Sequence, residues 1–293
     1  MKAIVAEARV ATFSDYVMLT KPRITTLVVA TTLFGFYLAS NGPVNLVLLF
    51  HALLGTALVA SGASALNMVL EWDADAKMRR TENRPIPSGR MTLVQALSFG
   101  SAISVIGIVY LWIFVNLLTS MLAMVTVSLY LFAYTPLKKR TYLCTIVGAV
   151  PGAIPPMMGW TAARNALNAE AWWLFAILFL WQLPHFLSIA WLYREDYARG
   201  GFPMLPVLDP VGTRTSRHII MNTIALILVT LLPFATGGFG VFYLTGALIF
   251  GLMFLVMGIR LAMTKSNISA RYLLLASVIY LPLLFTLMLI DRA

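Results

Sequence analysis

Residues 67–90 read NMVLEWDADAKMRRTENRPIPSGR and mark the point where a long apolar stretch gives way to a charged loop. Asn67, Glu71 and Asp75 follow at intervals of four residues, which places them within about 80° of one another on one helix face. Carboxylates are costly beside hydrocarbon and tend to be retained there when they bind something. Two carboxylates and an amide, followed by Arg80 and Arg84, suit a magnesium ion that carries a diphosphate.

An ordinary interfacial helix end, where polar residues simply meet water, is the alternative interpretation of this stretch. It would explain a single acid. Three oxygen-bearing side chains in register, followed by basic residues and the rigid RPIP segment, favour a ligand site instead. Asp73 points about 120° or more away from Asn67 and Asp75, so we do not expect it to join the cluster. A magnesium ion typically uses one or two protein carboxylates, so Asn67, Glu71 and Asp75 supply enough ligands.

The composition indicates a membrane protein. The chain has 293 residues, of which 60% are hydrophobic and 11% are charged, and its mean hydropathy is +0.86. A soluble domain normally carries about 25% charged residues. The first 22 residues lack the apolar core of a signal peptide, and no strongly Arg- and Ser-rich transit segment is visible, which favours a bacterial inner membrane. The single cysteine, Cys144, excludes an intrachain disulfide.

The apolar runs predict an all-α, polytopic protein with nine transmembrane helices. The predicted helices cover residues 23–40, 45–70, 93–113, 116–134, 143–162, 171–193, 218–235, 239–259 and 272–290. The connections after the first, third, fifth and seventh helices are short and nearly uncharged, whereas those after the second, fourth, sixth and eighth are basic.

The distribution of positive charge predicts the orientation. Nineteen of the 21 Lys and Arg residues lie in the N-terminal segment or in the loops after the even-numbered helices, and only Arg164 and Arg292 lie on the other side. The positive-inside rule then places the N-terminus in the cytoplasm and the C-terminus outside. We expect one intramembrane domain over residues 1–293, with 1–22 as a cytoplasmic segment. Topology accounts for most of the net charge of +10, so no nucleic-acid partner is needed to explain it.

A second candidate segment is WQLPHFLSIAWLYREDYARGGFPMLP, residues 181–206. Gln182 and His185 interrupt an apolar span, and polar groups in such a position usually face the bundle or a cavity. For His185 we weigh a ligand-contacting role against a hydrogen-bonded packing histidine. Glu195 and Asp196 follow at the cytoplasmic end, where a second acidic site would face the first.

A third candidate segment is YTPLKKRTYLCTIVGAVPGAIPPMMGWTA, residues 134–162. Lys138, Lys139 and Arg140 have two interpretations, a positive-inside anchor or a group that captures diphosphate. The glycines and prolines that follow predict an irregular fifth helix. Such helices line cavities or pack closely, because a break facing lipid would leave backbone groups unpaired.

These segments together resemble the intramembrane aromatic prenyltransferases. NMVLEWDADAKMRRTENRP is similar to their first aspartate-rich motif, NxxxDxxxD, with Glu71 at the middle acid. YTPLKKRT, GAIPPMMGW, WQLPHFLSIAWLYREDY and GGFPMLP resemble the branch of that family that prenylates haem, and the similarity runs from Leu19 to Pro206. Members that act on quinone precursors carry a second DxxxD motif. In this chain Asp196 matches its last acid, but Leu192 stands at the first, so the resemblance implies one well-formed metal site.

The resemblance implies transfer of a farnesyl group from farnesyl diphosphate to a vinyl group of protohaem IX, with addition of water, to give haem O. The implied cofactor is Mg²⁺, and the partners are farnesyl diphosphate, protohaem IX, membrane lipid and a haem A synthase or terminal-oxidase assembly protein. The implied roles are as follows: Asn67, Glu71, Asp75 and Asp196 act in catalysis as magnesium ligands, Arg80, Arg84, Lys138, Lys139 and Arg140 bind diphosphate, and His185 contacts haem.

Two other functions remain as alternatives. A prenyltransferase acting on a quinone-precursor ring is disfavoured by the incomplete second motif. A transporter would place acids near the middle of the bilayer, whereas the acids of this chain cluster at predicted cytoplasmic helix ends beside arginines.

Overall fold

The computed structural model describes residues 11–40 and 42–291, and this part of the chain is all-helical. The helices, in chain order, are α1 (Phe13–Leu19), α2 (Pro22–Ala39), α3 (Leu46–Asp75), α4 (Leu93–Phe114), α5 (Leu117–Ser128), a π-helical segment (Leu129–Tyr134), α6 (Thr135–Lys138), α7 (Cys144–Ala153), α8 (Pro155–Arg164), α9 (Ala169–Leu192), α10 (Arg194–Arg199), α11 (Leu205–Leu208), α12 (Thr213–Thr230), α13 (Leu232–Ala235), α14 (Val241–Thr264) and α15 (Asn267–Ile290).

Eight helical stretches among the described residues are long and apolar enough to cross a membrane. They are α2, α3, α4, the continuous stretch Leu117–Lys138, α9, the stretch Thr213–Ala235, α14 and α15. The prediction of a polytopic, all-α membrane protein is confirmed at this level.

The predicted fifth span, residues 143–162, is divided into α7 and α8, which meet at Ile154. Pro155 and Pro156 begin α8, and proline has no backbone N–H with which to continue the hydrogen bonds of α7. Each half has ten residues, which is too short to span a bilayer alone. The count of nine spans therefore stays a prediction, in which α7 and α8 together make one broken crossing.

Helix α8 packs tightly against α2. A Cβ atom added to Gly35 would overlap the backbone of Pro156, and one added to Gly159 would overlap the backbone of Thr32. Only glycine lets the two helix backbones approach this closely, as is common between membrane helices. The contact fixes the broken fifth span against the helix that begins beside the candidate site.

In the described part of the predicted cytoplasmic segment 1–22, the structure has a helix that the hydropathy pattern did not predict, α1. The Arg90 Nε atom donates a hydrogen bond to Asp15 Oδ1 at 2.8 Å, and this ion pair ties α1 to the loop after α3. Lys2, Arg9 and Arg292, which contributed to the charge distribution, lie outside the described residues.

Candidate active site

The last three turns of α3 carry the three side chains predicted from the sequence. Helix α3 continues to Asp75, five residues beyond the predicted end, so Asn67, Glu71 and Asp75 lie on one unbroken helix. Each is at most 3% exposed to solvent. This burial excludes the alternative of an ordinary helix end whose polar groups meet water.

Three cations from three different segments bind these three side chains. The bonds are Lys21 Nζ to Asn67 Oδ1 at 2.8 Å, Lys138 Nζ to Glu71 Oε2 at 2.9 Å and Arg84 Nη1 to Asp75 Oδ2 at 2.6 Å. The segments that supply them are the turn before α2, the end of α6 and the loop after α3. The site is therefore assembled by tertiary packing, and its acids are already neutralised by the chain's own cations.

Two carboxylate oxygens in this cluster have no hydrogen-bond partner among the described residues, Glu71 Oε1 and Asp75 Oδ1. A buried acceptor left unpaired costs about 1–3 kcal/mol, so these atoms fit a role as ligands of a cation. The amide of Asn67 differs, because its Nδ2 atom also donates to Thr135 Oγ1 at 3.2 Å. Of these three side chains, Glu71 and Asp75 are the two that have an oxygen without a partner among the described residues.

The geometry of α3 limits how one ion can use these residues. Asn67 and Asp75 are eight residues apart and therefore about 12 Å apart along the helix axis, whereas a magnesium–oxygen bond is about 2.1 Å long. One ion can bridge neighbours four residues apart more readily than it can reach all three. The free oxygens favour the pair Glu71 and Asp75, because Asn67 Oδ1 already accepts a hydrogen bond from the Lys21 ammonium, whose charge would repel a metal ion.

Lys138 reaches Glu71 through an irregular piece of helix. The π-helical segment Leu129–Tyr134 precedes it, and such segments, which add a residue to a helical turn, are frequent at functional sites. The Lys138 ammonium lies 4.5 Å from the ring centroid of Phe202 and 5.9 Å from that of Tyr134. A cation held beside Glu71 is thus also stabilised by two aromatic faces.

The structure does not bring the next two predicted diphosphate ligands to this site. Lys139 and Arg140 are exposed, and Lys139 Nζ binds Asp73 Oδ1 at 2.7 Å on the outer side of α3. Successive residues of a helix point about 100° apart, so only Lys138 of the three faces the buried acids.

Arg80, which is also predicted to bind diphosphate, contacts aromatic rings in the structure. Its guanidinium lies over the rings of Tyr193 and Tyr197, at 4.9 and 5.6 Å from their centroids. This stacking docks the loop after α3 onto the end of α9 and onto α10. Arg80 is therefore placed at the rim of the site, whereas Arg84 contacts the acids directly.

Asp196 is buried and belongs to the same docking contact. Its Oδ1 atom accepts a hydrogen bond from the backbone N–H of Arg79 at 3.2 Å and another from the guanidinium of Arg199. Burial raises the pKa of this carboxyl, but these hydrogen bonds outweigh it, and the pKa is lowered overall. Within residues 11–40 and 42–291, no group of three or more His, Cys, Asp or Glu side chains has the spacing of a metal site. Asp196 therefore does not converge with Glu71 and Asp75 here, and its role as a helper stays a prediction.

The sequence prediction missed Lys21 as a site residue. Lys21 has a φ of +47°, an uncommon backbone conformation for a residue other than glycine, and this directs its side chain to Asn67. Burial and the nearby Arg84 guanidinium lower the pKa of Lys21 to about 7. Its segment, LTKPRIT, belongs to the similarity noted above, which was the available signal, but Lys21 was interpreted only as a topological charge.

His185 lies on α9 and faces α15. Its Nδ1 atom is 2.7 Å from Ser277 Oγ, and that hydroxyl donates its own proton to the carbonyl of Leu274 at 2.6 Å. With the serine proton on the Leu274 carbonyl, Nδ1 would be the donor to the hydroxyl, and Nε2 would then keep its lone pair. The ring also stacks on Trp181, with 4.8 Å between the centroids.

Buried carboxylates paired with lysine and arginine side chains, set inside a bundle of membrane-spanning helices, are typical of an intramembrane enzyme that handles an anionic substrate. The model of the UbiA prenyltransferase family matches residues 28–288, and the chain belongs to that family. It is a prenyltransferase.

Relatives of similar length support this assignment. The chain is 50% identical to a protoheme IX farnesyltransferase of Solibacter usitatus, over 95% of this chain and 98% of the relative. It is 47% identical to a protoheme IX farnesyltransferase of Koribacter versatilis, over 95% and 93% of the two chains.

Solved structures share the fold. A digeranylgeranylglyceryl phosphate synthase superposes with a TM-score of 0.79 at 16% identity, over 95% of this chain and 97% of the other. A UbiA homologue from Archaeoglobus fulgidus, solved bound to GPP and Mg²⁺, superposes with a TM-score of 0.68 at 12% identity, over 94% and 99% of the two chains.

Proposed function

We propose that this enzyme transfers a farnesyl group from farnesyl diphosphate to a vinyl group of protohaem IX and adds water, giving haem O. The observation that carries the proposal is the pair of buried carboxylates, Glu71 and Asp75, each with one unpartnered oxygen and one bound cation. The names and near full-length similarity of the two relatives support haem as the acceptor.

Glu71 and Asp75 are the proposed magnesium ligands, with Asn67 and Asp196 as additional candidates. When bound, Mg²⁺ neutralises charge that develops on the diphosphate as the allylic C–O bond breaks. The UbiA homologue solved with GPP and Mg²⁺ supports this choice of ion.

Lys138 and Arg84 exchange partners in this proposal. In the structure they bind Glu71 and Asp75, and both would turn to the diphosphate oxygens once the carboxylates have a metal to bind. Charge-assisted hydrogen bonds of this kind stabilise a departing diphosphate. Lys21 lies beside the same cluster and would be a third donor, while Arg80 holds the loop in place.

The rings of Phe202 and Tyr134 acquire a role from the same exchange. They face the Lys138 ammonium in the structure, so they are placed to stabilise positive charge close to Glu71. As Lys138 moves toward diphosphate, the same faces would stabilise the allylic cation to which the vinyl group adds its π electron pair.

His185 is the proposed haem contact. Its Nε2 lone pair is the kind of ligand that haem iron accepts, and Ser277 fixes both the tautomer and the direction of the ring. Among the described residues, Ser277 Oγ is the hydrogen-bond partner of the ring, at 2.7 Å from Nδ1, and this leaves Nε2 for a ligand.

We place the chain in a bacterial inner membrane as one domain over residues 1–293, in nine crossings, with the N-terminus in the cytoplasm. The basic loops and the bacterial relatives support this topology. In this orientation, the acids lie at the cytoplasmic membrane surface, where a diphosphate headgroup can enter while its tail stays in lipid. A haem A synthase or terminal-oxidase assembly protein is the expected partner for the product.

The purified protein, reconstituted in lipid, provides the test. It is incubated with farnesyl diphosphate, Mg²⁺ and either protohaem IX or a quinone-precursor ring, and the extracted products are identified by mass. We expect farnesylated, hydrated haem, no prenylated quinone precursor and no product in the presence of EDTA. Formation of the quinone product alone would replace this proposal with the alternative acceptor.

A further inference from the structure

A cleft of about 330 Å³ lies far from the acids, at the opposite end of the bundle. Helix α2 begins beside Lys21 and ends at Ala39 next to the cleft, so its 18 residues separate the two sites by about 27 Å. The cleft is bounded by the end of α8, the start of α9 and the turn between α13 and α14. It is thus independent of the proposed catalytic site.

Three aromatic side chains and one carboxylate line the cleft: Trp160, Trp173, Phe239 and Glu170. Glu170 is half-buried and has no hydrogen-bond or ion-pair partner in the described part of the chain. Its place in the first turn of α9 explains why a negative charge is tolerated there, since the positive end of the helix dipole is close. It does not explain the aromatic lining, which together with a carboxylate is typical of sites that bind an organic ammonium group.

Donors for an anion are present in the same cleft. Arg164 lines it, with its guanidinium 5.8 Å from the ring centroid of Trp160, and its Nε atom donates to the carbonyl of Ala39. Trp160 is 6% exposed, and its indole N–H has no acceptor among the described residues. A buried tryptophan N–H normally has an acceptor, so this one is available to a ligand oxygen.

We propose that the cleft binds the headgroup of a zwitterionic phospholipid, phosphatidylethanolamine, in the leaflet opposite the catalytic site. The ammonium group would bind Glu170 between the aromatic rings, and the phosphate would accept hydrogen bonds from Arg164 and Trp160. The cleft lies at the end of the membrane-spanning helices, where lipid headgroups are found and where tryptophan is enriched. Phosphatidylglycerol has the phosphate but no cation for Glu170, so it fits only half of the site.

The experiment uses the full chain in nanodiscs made from equal amounts of phosphatidylethanolamine and phosphatidylglycerol. The lipids that stay bound after transfer to detergent are counted by native mass spectrometry. We expect the wild type to retain phosphatidylethanolamine in preference to phosphatidylglycerol. Glu170→Gln and Trp173→Leu should each lower that preference about tenfold, since each removes a main contact with the ammonium group.

The chain offers matched controls. Glu195→Gln removes an exposed acid of α10, beyond the other end of α9. Trp172→Leu removes the neighbouring tryptophan, which is 52% exposed and does not line the cleft. Both controls should keep the wild-type preference. Glu170→Gln also weakens the interaction of this charge with the helix dipole. Each variant is therefore first checked for folding, by comparing its size-exclusion elution profile in phosphatidylglycerol alone with that of the wild type. If Trp173→Leu fails this check, Trp173→Phe replaces it.

Equal retention of the two lipids by the wild type, or an unchanged preference in Glu170→Gln, would overturn the proposal. A further arm adds soluble glycerophosphoethanolamine at the concentration of the lipid. We expect no displacement, because the acyl chains hold the headgroup at the cleft. Complete displacement would show that the cleft binds a free headgroup, and it would overturn the lipid assignment.

Discussion

The resting ion pairs predict that metal and diphosphate bind this enzyme together and that the metal binds poorly alone. A metal ion bound to the free oxygens of Glu71 and Asp75 repels Lys138 and Arg84, which lie 2.9 and 2.6 Å from the other oxygen of each carboxylate, and drives them away from the acids. Without diphosphate, the displaced cations have no new partner in a buried site. With diphosphate, they gain anionic oxygens to bind.

The size of the effect follows from these two bonds. A hydrogen bond to a charged group contributes about 1.5–3 kcal/mol, so releasing both cations costs about 3–6 kcal/mol. At about 1.4 kcal/mol per tenfold change, the affinity for metal should rise between about 10²- and 10⁴-fold when diphosphate is present. Lys138→Met removes one of the two bonds, so metal alone should bind this variant about 10- to 100-fold more tightly than the wild type.

The assay follows the loss of the EPR signal of free Mn²⁺ as Mn²⁺ binds the purified enzyme. It is run with and without a farnesyl diphosphate analogue whose allylic C–O bond cannot break. A titration without protein corrects for Mn²⁺ bound to the analogue in solution. Lys139→Met is the matched control, because this neighbouring lysine binds Asp73 on the outer face of α3, and it should behave as the wild type.

Equal Mn²⁺ affinity with and without the analogue would show that Lys138 and Arg84 do not oppose metal binding, as would equal effects of Lys138→Met and Lys139→Met. Removing Lys138 also leaves the buried Glu71 carboxylate without its cation, which costs about 3–5 kcal/mol of folding stability. The double variant Glu71→Gln, Lys138→Met should recover the stability without recovering the metal site, and so it separates folding from binding.

Three further predictions concern groups around this cluster. If the proposed haem contact is made through the iron, His185→Ala should shift the Soret band of bound haem, and imidazole should restore it. An unchanged spectrum would contradict an iron contact. Lys21→Met should raise KM for farnesyl diphosphate about tenfold, and Lys21→Arg should keep most of the affinity; steady-state kinetics checks both. The Arg90 hydrogen bond lowers the pKa of Asp15. This contact therefore stabilises the docking of α1 above about pH 4, and it is lost as the pH falls through the lowered pKa. Proteolysis within α1 should be faster at low pH, and at neutral pH Asp15→Asn should be cut as fast as the wild type is cut at low pH.

The part of the site that depends on one helix could be predicted from the sequence. The four-residue spacing of Asn67, Glu71 and Asp75 placed them on a common face, and the structure adds that this face is buried. Hydropathy and charge also predicted the membrane class, because both depend on composition along the chain and not on tertiary contacts.

The pairing of the acids with particular cations could not be predicted. Which of Lys138, Lys139 and Arg140 faces Glu71 depends on the register that the π-helical segment sets, and a change of one residue would turn a different side chain inward. The contact of Lys21 with Asn67 depends on the left-handed backbone conformation of Lys21 before Pro22. The sequence shows only a positive charge in a predicted cytoplasmic segment.

The break in the fifth span was predicted only in outline. Its glycines and prolines indicated an irregular helix, but the division at Ile154 depends on how Pro155 and Pro156 pack against α2. The proposed haem contact was also predicted only in part. His185 was identified as an unusual polar residue, whereas its tautomer depends on Ser277, which lies 92 residues further along the chain.

The most direct test of the proposed function is the amount of farnesylated haem that Asp75→Asn forms beside the wild type. The substitution keeps the shape of the side chain and removes one charge from the buried pair. We expect a fall in kcat of at least about 10²–10³-fold, with the protein still folded. Glu82→Gln, which changes an exposed acid on the neighbouring loop, should keep full activity. Turnover by Asp75→Asn at the rate of Glu82→Gln would contradict the assignment of this acid to the metal–diphosphate site.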